Sequence, residues 1–438
     1  MNVDHLLQLQ QPLKEGGIRS VNFFNGRLLT SKDLSREQVA RRESDARLGL
    51  ALGSGVAFGL EVKRDTTLDT AAAPVLRVKA GLAINRMGHT LRLTADTSVA
   101  LTRMFSATGS ATERNCVFAN CNPIADGVYV ARAGVYVLMI APAQASEGRA
   151  PTNGLDPTNV HCNTDATIEA LQFRLLAINP LRYADLDISS PQFRNRLAYR
   201  CFGSEARELN VRDPLREDLA SYGLVDELRM PAGRLSDCDV PLALLYWTDD
   251  GLRFVDTWAV RRRLVEPDAL TGSMFQAKAR RIAEADAMCS QFQQHLGDLL
   301  AASPSPASIA ATGHFRYLPP FGIVPIQAPP LRGFVDAVFF AGVVRRPVPG
   351  STQGTEFIDG RMLCALRNEA LQHTFTDVTQ KEFIWVYRPW QITQTIDRKQ
   401  TAQPMLAFAS GLMSNLATSK FDMARFDYSN YASCCGNR

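Results

Sequence analysis

The chain has 438 residues, 46% of them hydrophobic and 21% charged, with a formal net charge of +4. That length holds two or three domains with substantial cores, and the balance of apolar and charged residues excludes wholesale disorder. The one obvious basic run is Arg261-Arg262-Arg263, so the concentrated positive footprint of a nucleic-acid binder is missing.

Met1 to Glu15 is polar, without the continuous apolar stretch of an export signal. The most apolar segment, Val128 to Ala145, alternates and carries Arg132, so it falls short of a spanning helix. The expectation is a soluble chain, cytoplasmic where it is made, with no direct insertion into a membrane. Nine cysteines at irregular spacings, with no export signal, predict reduced thiols. Cys116, Cys121, His161 and Cys162 are four residues of zinc-ligating type, but nothing in their spacing favours a site. No metal and no cofactor is expected.

Residues 1–20 read as a short polar arm with Gly16-Gly17. Phe23 and Phe24 follow as two large apolar anchors ahead of an Asn25-Gly26 turn, where glycine takes positive φ cheaply. Leu29 leads into Thr30, three residues before Asp33, an acidic variant of the capping box that predicts a helix over 31–49. Glu37→Arg41 and Glu43→Arg47 would pair along it, beside Gln38. Its apolar stripe (Leu34, Ala40, Leu48) is thin, which places it on a surface or in a wet interface.

Strands are predicted at Val75–Ala80, Leu82–Ile84, Thr90–Leu93, near Val99–Leu101, Gly127–Val130 and Gly134–Ile140, with Met87-Gly88 as a turn. Residues 103–126 and 146–164 read as loops. Ile168, Leu171, Leu175 and Ile178 fall at helical spacing, and Phe193, Leu197 and Cys201 predict a second helix. A third is signalled by Asp213 as N-cap, Pro214 at N1 and Gly223 at the end. Asp249-Asp250-Gly251 between two apolar runs predicts a hairpin over 240–257. The arginines that follow it read most simply as a solvated or interface cluster.

A long helix is predicted over 268–302. Phe275, Ile282, Cys289 and Leu296 recur every seven residues, and Lys278, Ala285, Phe292 and Leu299 fill the complementary positions, a coiled-coil-like seam with one misfit. Such a seam mates with its own domain or with a copy of itself. Residues 303–312, with Ser303-Pro304-Ser305-Pro306, read as a linker, and His314 to Pro330 as an extended proline-rich and aromatic segment. A small α+β module follows: a strand at Val338–Val344, a helix capped by Asp359 and a strand at Glu382–Tyr387.

The pattern Phe24-Asn25-Gly26-x-Leu28-Leu29-Thr30-x-x-Asp33-Leu34-x-x-Glu37-Gln38, followed by Gly55-Val56-x-x-Gly59-Leu60-Glu61-Val62, resembles a family of structural proteins encoded with phage-tail-like contractile injection systems. Val240-Pro241-Leu242-Ala243, Phe315 to Gly322 and Phe357-Ile358-Asp359-Gly360 are similar to further landmarks of that family. All of them are packing and turn motifs. The order of β domain, helices and distal α+β module is also similar in architecture to the type VI secretion baseplate adaptor, an analogy only.

The fold expected is therefore α+β and multi-domain. It has an arm (1–20), an antiparallel β-sandwich or barrel-like domain (21–165), a central helical segment (166–302), a linker (303–312) and a C-terminal α+β domain (313–438). The resemblance implies a non-enzymatic baseplate or baseplate-attached component, with partners among other injection-machine proteins, copies of itself as a trimer, and a distal membrane-associated or receptor partner. The alternative is a receptor- or glycan-binding appendage presenting Trp385, Tyr387 and Trp390, and Phe315, Arg316 and Tyr317 are the other distal candidates. No nucleophile elbow, phosphate loop or His-Glu-x-x-His motif is present, and the six histidines are scattered. A metal-dependent hydrolase built on the cysteine and histidine loop is a distant third reading.

Overall fold

In the computed structural model the described residues are 14–70, 74–101, 133–148, 150–152, 161–163, 165–203, 223–229, 234–265, 278–346, 356–373, 375–390 and 403–411. The first helix, α1 (Ser31–Leu52), leads into six short strands: β1 (Gly55–Gly59), β2 (Val62–Arg64), β3 (Val75–Val78), β4 (Gly81–Ile84), β5 (Thr90–Leu93) and β6 (Thr97–Ala100). They form two three-stranded sheets, β1-β4-β5 and β2-β3-β6. A larger antiparallel sheet, β10-β7-β11-β12, joins β7 (Gly134–Glu147), β10 (Ala166–Ala177), β11 (Val240–Thr248) and β12 (Gly251–Asp256). Beside it lies the small pair β8 (Ala150–Thr152) and β9 (His161–Asn163).

The period of two along β7 explains how the large sheet is used. Tyr136, Leu138 and Ile140 pack with Leu60, Val62, Leu76 and Leu91 of the small sheets. Val135, Val137 and Met139 pack on the opposite face with Phe193, Leu197 and Tyr199. Those last three lie on α2 (Phe193–Phe202), the helix that the spacing of Phe193, Leu197 and Cys201 predicts, which ends at Gly203 in the left-handed region. The short helix α3 (Leu224–Glu227) packs nearby, with Leu224 buried in the same cluster.

Residues 166–177 correct the sequence reading. They form a strand rather than a helix, paired with β7 over twelve residues from Ala166↔Glu147 to Ala177↔Tyr136. Leu171, Phe173 and Leu175 face the small sheets together. This alternation competes with the helical spacing of Ile168, Leu171, Leu175 and Ile178, and a partner strand some twenty residues earlier decides the outcome. The large sheet thus runs across residue 165. The two-residue hairpin forms as predicted, with Thr248 opposite Gly251 and Gly251 at φ +105°. The helix expected from Asp213 lies outside the described residues, as do the strand at 127–130 and the side chains of Cys116, Cys121, His161 and Cys162. Cys238 is disulfide-bonded, against the expectation of reduced thiols, while Cys201, Cys289 and Cys364 are free.

The long helix α4 (Lys278–Ala302) is enclosed by its own chain. Ala287 and Met288 enter the cluster under the large sheet. Ala285 and Cys289, with Ile282 half-buried beside them, pack on the C-terminal module. Phe292 and Leu296, with Leu299 against them, fill an aromatic cluster containing Phe315, Phe334, Phe340 and Phe408. The seam from Ile282 to Leu299 is therefore core, with no apolar face left for a copy; Phe275 lies outside the described residues.

Residues 303–312 are not a loose linker. Pro306 and Ala311 are buried, and a helical turn, α5 (Ala311–His314), delivers Phe315 to the core. The C-terminal module then contains β13 (Tyr317–Leu318), β14 (Phe321–Pro325), α6 (Asp336–Phe339), β15 (Val344–Arg346), β16 (Glu356–Ile358), α7 (Gly360–Ala370), β17 (Thr376–Asp377), β18 (Phe383–Pro389) and β19 (Met405–Ser410). β13 pairs with β17. The main sheet has the order β14-β19-β18-β15, with β16 also on β18. Asp359 caps α7 by accepting from Met362 N at 2.7 Å, as its position predicts. The strand expected over 338–344 is instead α6 and a turn, which lets Phe339 and Phe340 both point into the aromatic cluster.

One polar group ties these layers together. The fully buried Asp256, at the end of β12, accepts from Arg194 Nε of α2 at 2.9 Å and from Gln291 Nε2 of α4 at 2.8 Å. Its second oxygen accepts from Ala259 N at 3.0 Å. Asp256→Ala would leave the Arg194 guanidinium buried beside a hole and cost about 3–5 kcal/mol, whereas Asp250→Ala, in an exposed pair with Arg253, would cost under ~1 kcal/mol. Paired denaturant titrations check the contrast.

Candidate assembly interface

Local chemistry builds the N-terminal element. Arg27 N donates to Phe24 O at 3.2 Å, and Gly26 at φ +92° completes the turn through Asn25. Thr30 Oγ1 accepts from Asp33 N at 3.3 Å, and Asp33 Oδ2 accepts from Thr30 N at 3.0 Å, closing the predicted box. Arg27 then pairs with Asp33 at 2.5 Å and donates to Asn22 O at 2.7 Å, locking the turn to the helix start.

The arm doubles back along α1. Glu37 accepts from Val21 N at 3.1 Å, Arg47 donates to Gly16 O at 2.5 Å, and Arg42 reaches Glu169 on β10 at 3.2 Å. Glu37 and Arg47 thus serve the arm in place of the i,i+4 pairs read from the sequence. Contact with the β domain is close at one point. A Cβ on Gly49 would sit 2.1 Å from Gly88 O, and one on Gly88 would sit 2.0 Å from Ala46 O, so the helix and the β4–β5 turn touch backbone to backbone.

What remains is an apolar surface. Only Ala40 and Gly49 of α1 are buried, and the helix runs three residues further than its spacing predicts, to Leu52. Phe23, Phe24 (63% exposed), Leu28 (89%) and Leu29 lie open on the arm, with Leu34, Leu48 and Leu52 (64%) on the helix. Single exposed leucines are ordinary, but this many on one element make an unusually apolar surface. Gln38 is exposed on the same helix.

The other predicted residues are elsewhere and have other tasks. Phe315 is fully buried, its ring 4.9 Å from Phe292 and 4.7 Å from the imidazole of His295. Tyr317 stacks on Tyr199 at 4.9 Å, and Arg316 pairs with Asp377 at 3.4 Å. Asn195 of α2, which sequence reasoning passed over, holds this segment: its Oδ1 accepts from Arg316 N and Tyr317 N, and its Nδ2 donates to Tyr317 O. Trp385 and Tyr387 are also core, so the aromatic display expected of the distal domain is confined to Trp390, 62% exposed and 5.3 Å from Phe357.

The arginine run is only partly solvated: Arg261 is buried and Arg262 half-buried, while Arg263 remains exposed. Arg261 donates to Gly59 O at 2.6 Å over the Trp258 ring, Arg262 donates to backbone carbonyls at 2.8–3.1 Å, and Arg263 pairs with Asp286 at 3.0 Å. Among the described residues no group of three or more His, Cys, Asp or Glu side chains is placed to hold a metal ion. No helix among them is long and apolar enough to cross a membrane.

The Thr30 hydrogen bonds, side chain then backbone, together with Arg27, lower the Asp33 pKa from its ordinary 3.8 to about 2. The charged carboxylate therefore supports the cap fully above about pH 4, and that support is lost as pH falls through about 2. Carbon-detected NMR titration should place the Asp33 midpoint near 2, and Thr30→Ala should move it up toward 3.8.

No family model matches the chain, and no curated protein matches it. Among solved structures it is similar to a chain of the type VI secretion system TssK-TssF-TssG baseplate subcomplex seen by cryo-electron microscopy, at 12% identity over 65% of this chain and 73% of that one, TM-score 0.25. A crystal structure of TssK matches at 11% identity over 66% of this chain and 51% of that one, TM-score 0.26. A chain of the baseplate complex from the type VI secretion system matches at 11% identity over 92% and 95%, TM-score 0.21. TM-scores this low equate neither fold nor role.

Proposed function

We propose that the chain is a non-enzymatic structural component of a phage-tail-like contractile injection system, in the baseplate or attached to it. It joins the particle to a further partner, such as an anchor, a fibre or a membrane complex. The observation that carries this reading is the arm and α1, a capped element whose large apolar side chains stay exposed among the described residues. The Asn25-Gly26, Thr30 and Asp33 pattern that carries the family resemblance is the machinery that builds this element. Attachment explains both facts: the turn sets the entry angle of the arm, and the exposed leucines and phenylalanines supply the area a partner would bury.

Its partners are other injection-machine proteins and further copies of this chain in a trimer. A trimer would use surfaces other than the α4 seam, which is spent inside the chain. The appendage reading retains one exposed aromatic pair, Trp390 and Phe357, with the Arg388 guanidinium 5.8 Å from the Phe357 ring.

Phe24→Asp combined with Leu28→Asp tests the assignment. Both side chains are exposed, so folding stability should change by no more than ~0.5 kcal/mol. The variant should be absent from particles recovered by co-sedimentation. Incorporation at the wild-type level would overturn the reading.

A further inference from the structure

The meeting point of the β domain, α2, α3 and α4 forms a partly open pocket of about 80 Å³. One water needs roughly 10–15 Å³ by the same measure, so several water volumes are available. Four guanidiniums line it: Arg86 from the β4–β5 turn, Arg229 just beyond α3, Arg262 after β12 and Arg280 of α4. Two carboxylates on its wall, Asp226 and Glu284, are both engaged by Arg280, Glu284 accepting from Arg280 Nε at 3.0 Å. The third, Asp239, pairs with Arg174 at 2.9 Å.

Of the remaining three arginines, Arg229 and Arg262 are held mainly by neutral oxygens. Arg229, with its side chain 11% exposed, donates to Ser236 O at 2.9 Å and Asp239 O at 3.1 Å. Among the described residues the carboxylate that pairs with it is Asp237, 3.7 Å away and itself 57% exposed. Arg262 donates from one nitrogen to the carbonyls of Trp258, Ala259 and Arg261. Arg86 lies 4.0 Å from Asp226, which Arg280 also occupies. Burial lowers the pKa of all three, that of Arg229 to about 10 with Arg86 as the next cause, so the carboxylates present do not offset the desolvation of this much positive charge.

We propose that this cavity binds a tetrahedral oxyanion of the phosphate and sulfate class. Guanidinium forks match such an anion in geometry, and charge-assisted hydrogen bonds among largely buried groups are the strong kind. Arg86, Arg229 and Arg262 supply donors from three separate parts of the chain. A bound oxyanion therefore ties the β4–β5 turn, the end of α3 and the segment after β12 to one centre, beside Arg280 of α4.

The test is calorimetric titration of the full-length protein with inorganic phosphate, and separately with sulfate, at constant ionic strength, with chloride as the control. The expected result is saturable one-to-one binding of at least one oxyanion and a rise in melting temperature that chloride does not give. Arg229→Gln and Arg86→Met should each weaken binding about tenfold or more while circular dichroism is unchanged. Arg86, with its side chain 30% exposed, is the milder change and decides the matter should Arg229→Gln fail to fold. Absence of saturable binding, an equal response to chloride, or wild-type affinity in Arg86→Met would overturn the proposal.

Discussion

A carboxylate with no access to water organises this molecule. Asp256 ends β12, yet its partners are Arg194 on α2 and Gln291 on α4, so one side chain fixes a sheet edge and two helices. Burial by itself would lower the Arg194 pKa, but Asp256 and Asp298 outweigh it and hold the guanidinium above its ordinary value. The aliphatic contacts of these elements tolerate sliding; a buried ion pair with its remaining lone pairs satisfied does not. α4 can therefore serve as a strut, placing Met288 against the large sheet while Cys289, Phe292 and Leu296 anchor the C-terminal module.

This constraint separates the core from the surface the chain leaves exposed. With the heptad seam used internally and Phe315, Tyr317 and Trp385 committed to packing, half of the large apolar side chains left open among the described residues lie on the arm and α1. That element is held by a cap, a turn, the close backbone approach at Gly49 and Gly88 and the Arg42–Glu169 pair, not by burial of its own leucines. A helix with so little buried area gains most of its stability from what packs against it. The body thus positions the arm, and the arm is suited to work against another molecule.

Features encoded within a few residues were legible before the structure. The Thr30 and Asp33 box, the Asp359 cap, the Asp249-Asp250-Gly251 hairpin and the helix through Phe193, Leu197 and Cys201 depend on neighbours in sequence. The thin stripe of α1 correctly placed it on the surface, because two buried residues in a helix of 22 leave no room for a core face. Where the sequence misled, the deciding partner was distant. Residues 166–177 fit a helix until β7 offers them a ladder, and Arg261 looks solvent-facing until Gly59 closes over it. Asn195, Arg194 and Asp256 carry no local signature, since each is defined chiefly by groups 35 to 122 residues away. The seam's heptad spacing was legible, but its occupant was not, because spacing alone does not say whose side chains fill it.

The claim that most needs testing is that the arm and α1 are completed by a neighbour. Hydrogen exchange followed by mass spectrometry, on the free protein and on protein within assembled particles, addresses it directly. The account predicts that residues 21–52 exchange faster than β7 and β11 in the free protein and gain protection on assembly, with those core strands unchanged. Equal exchange of residues 21–52 in the two states would contradict it.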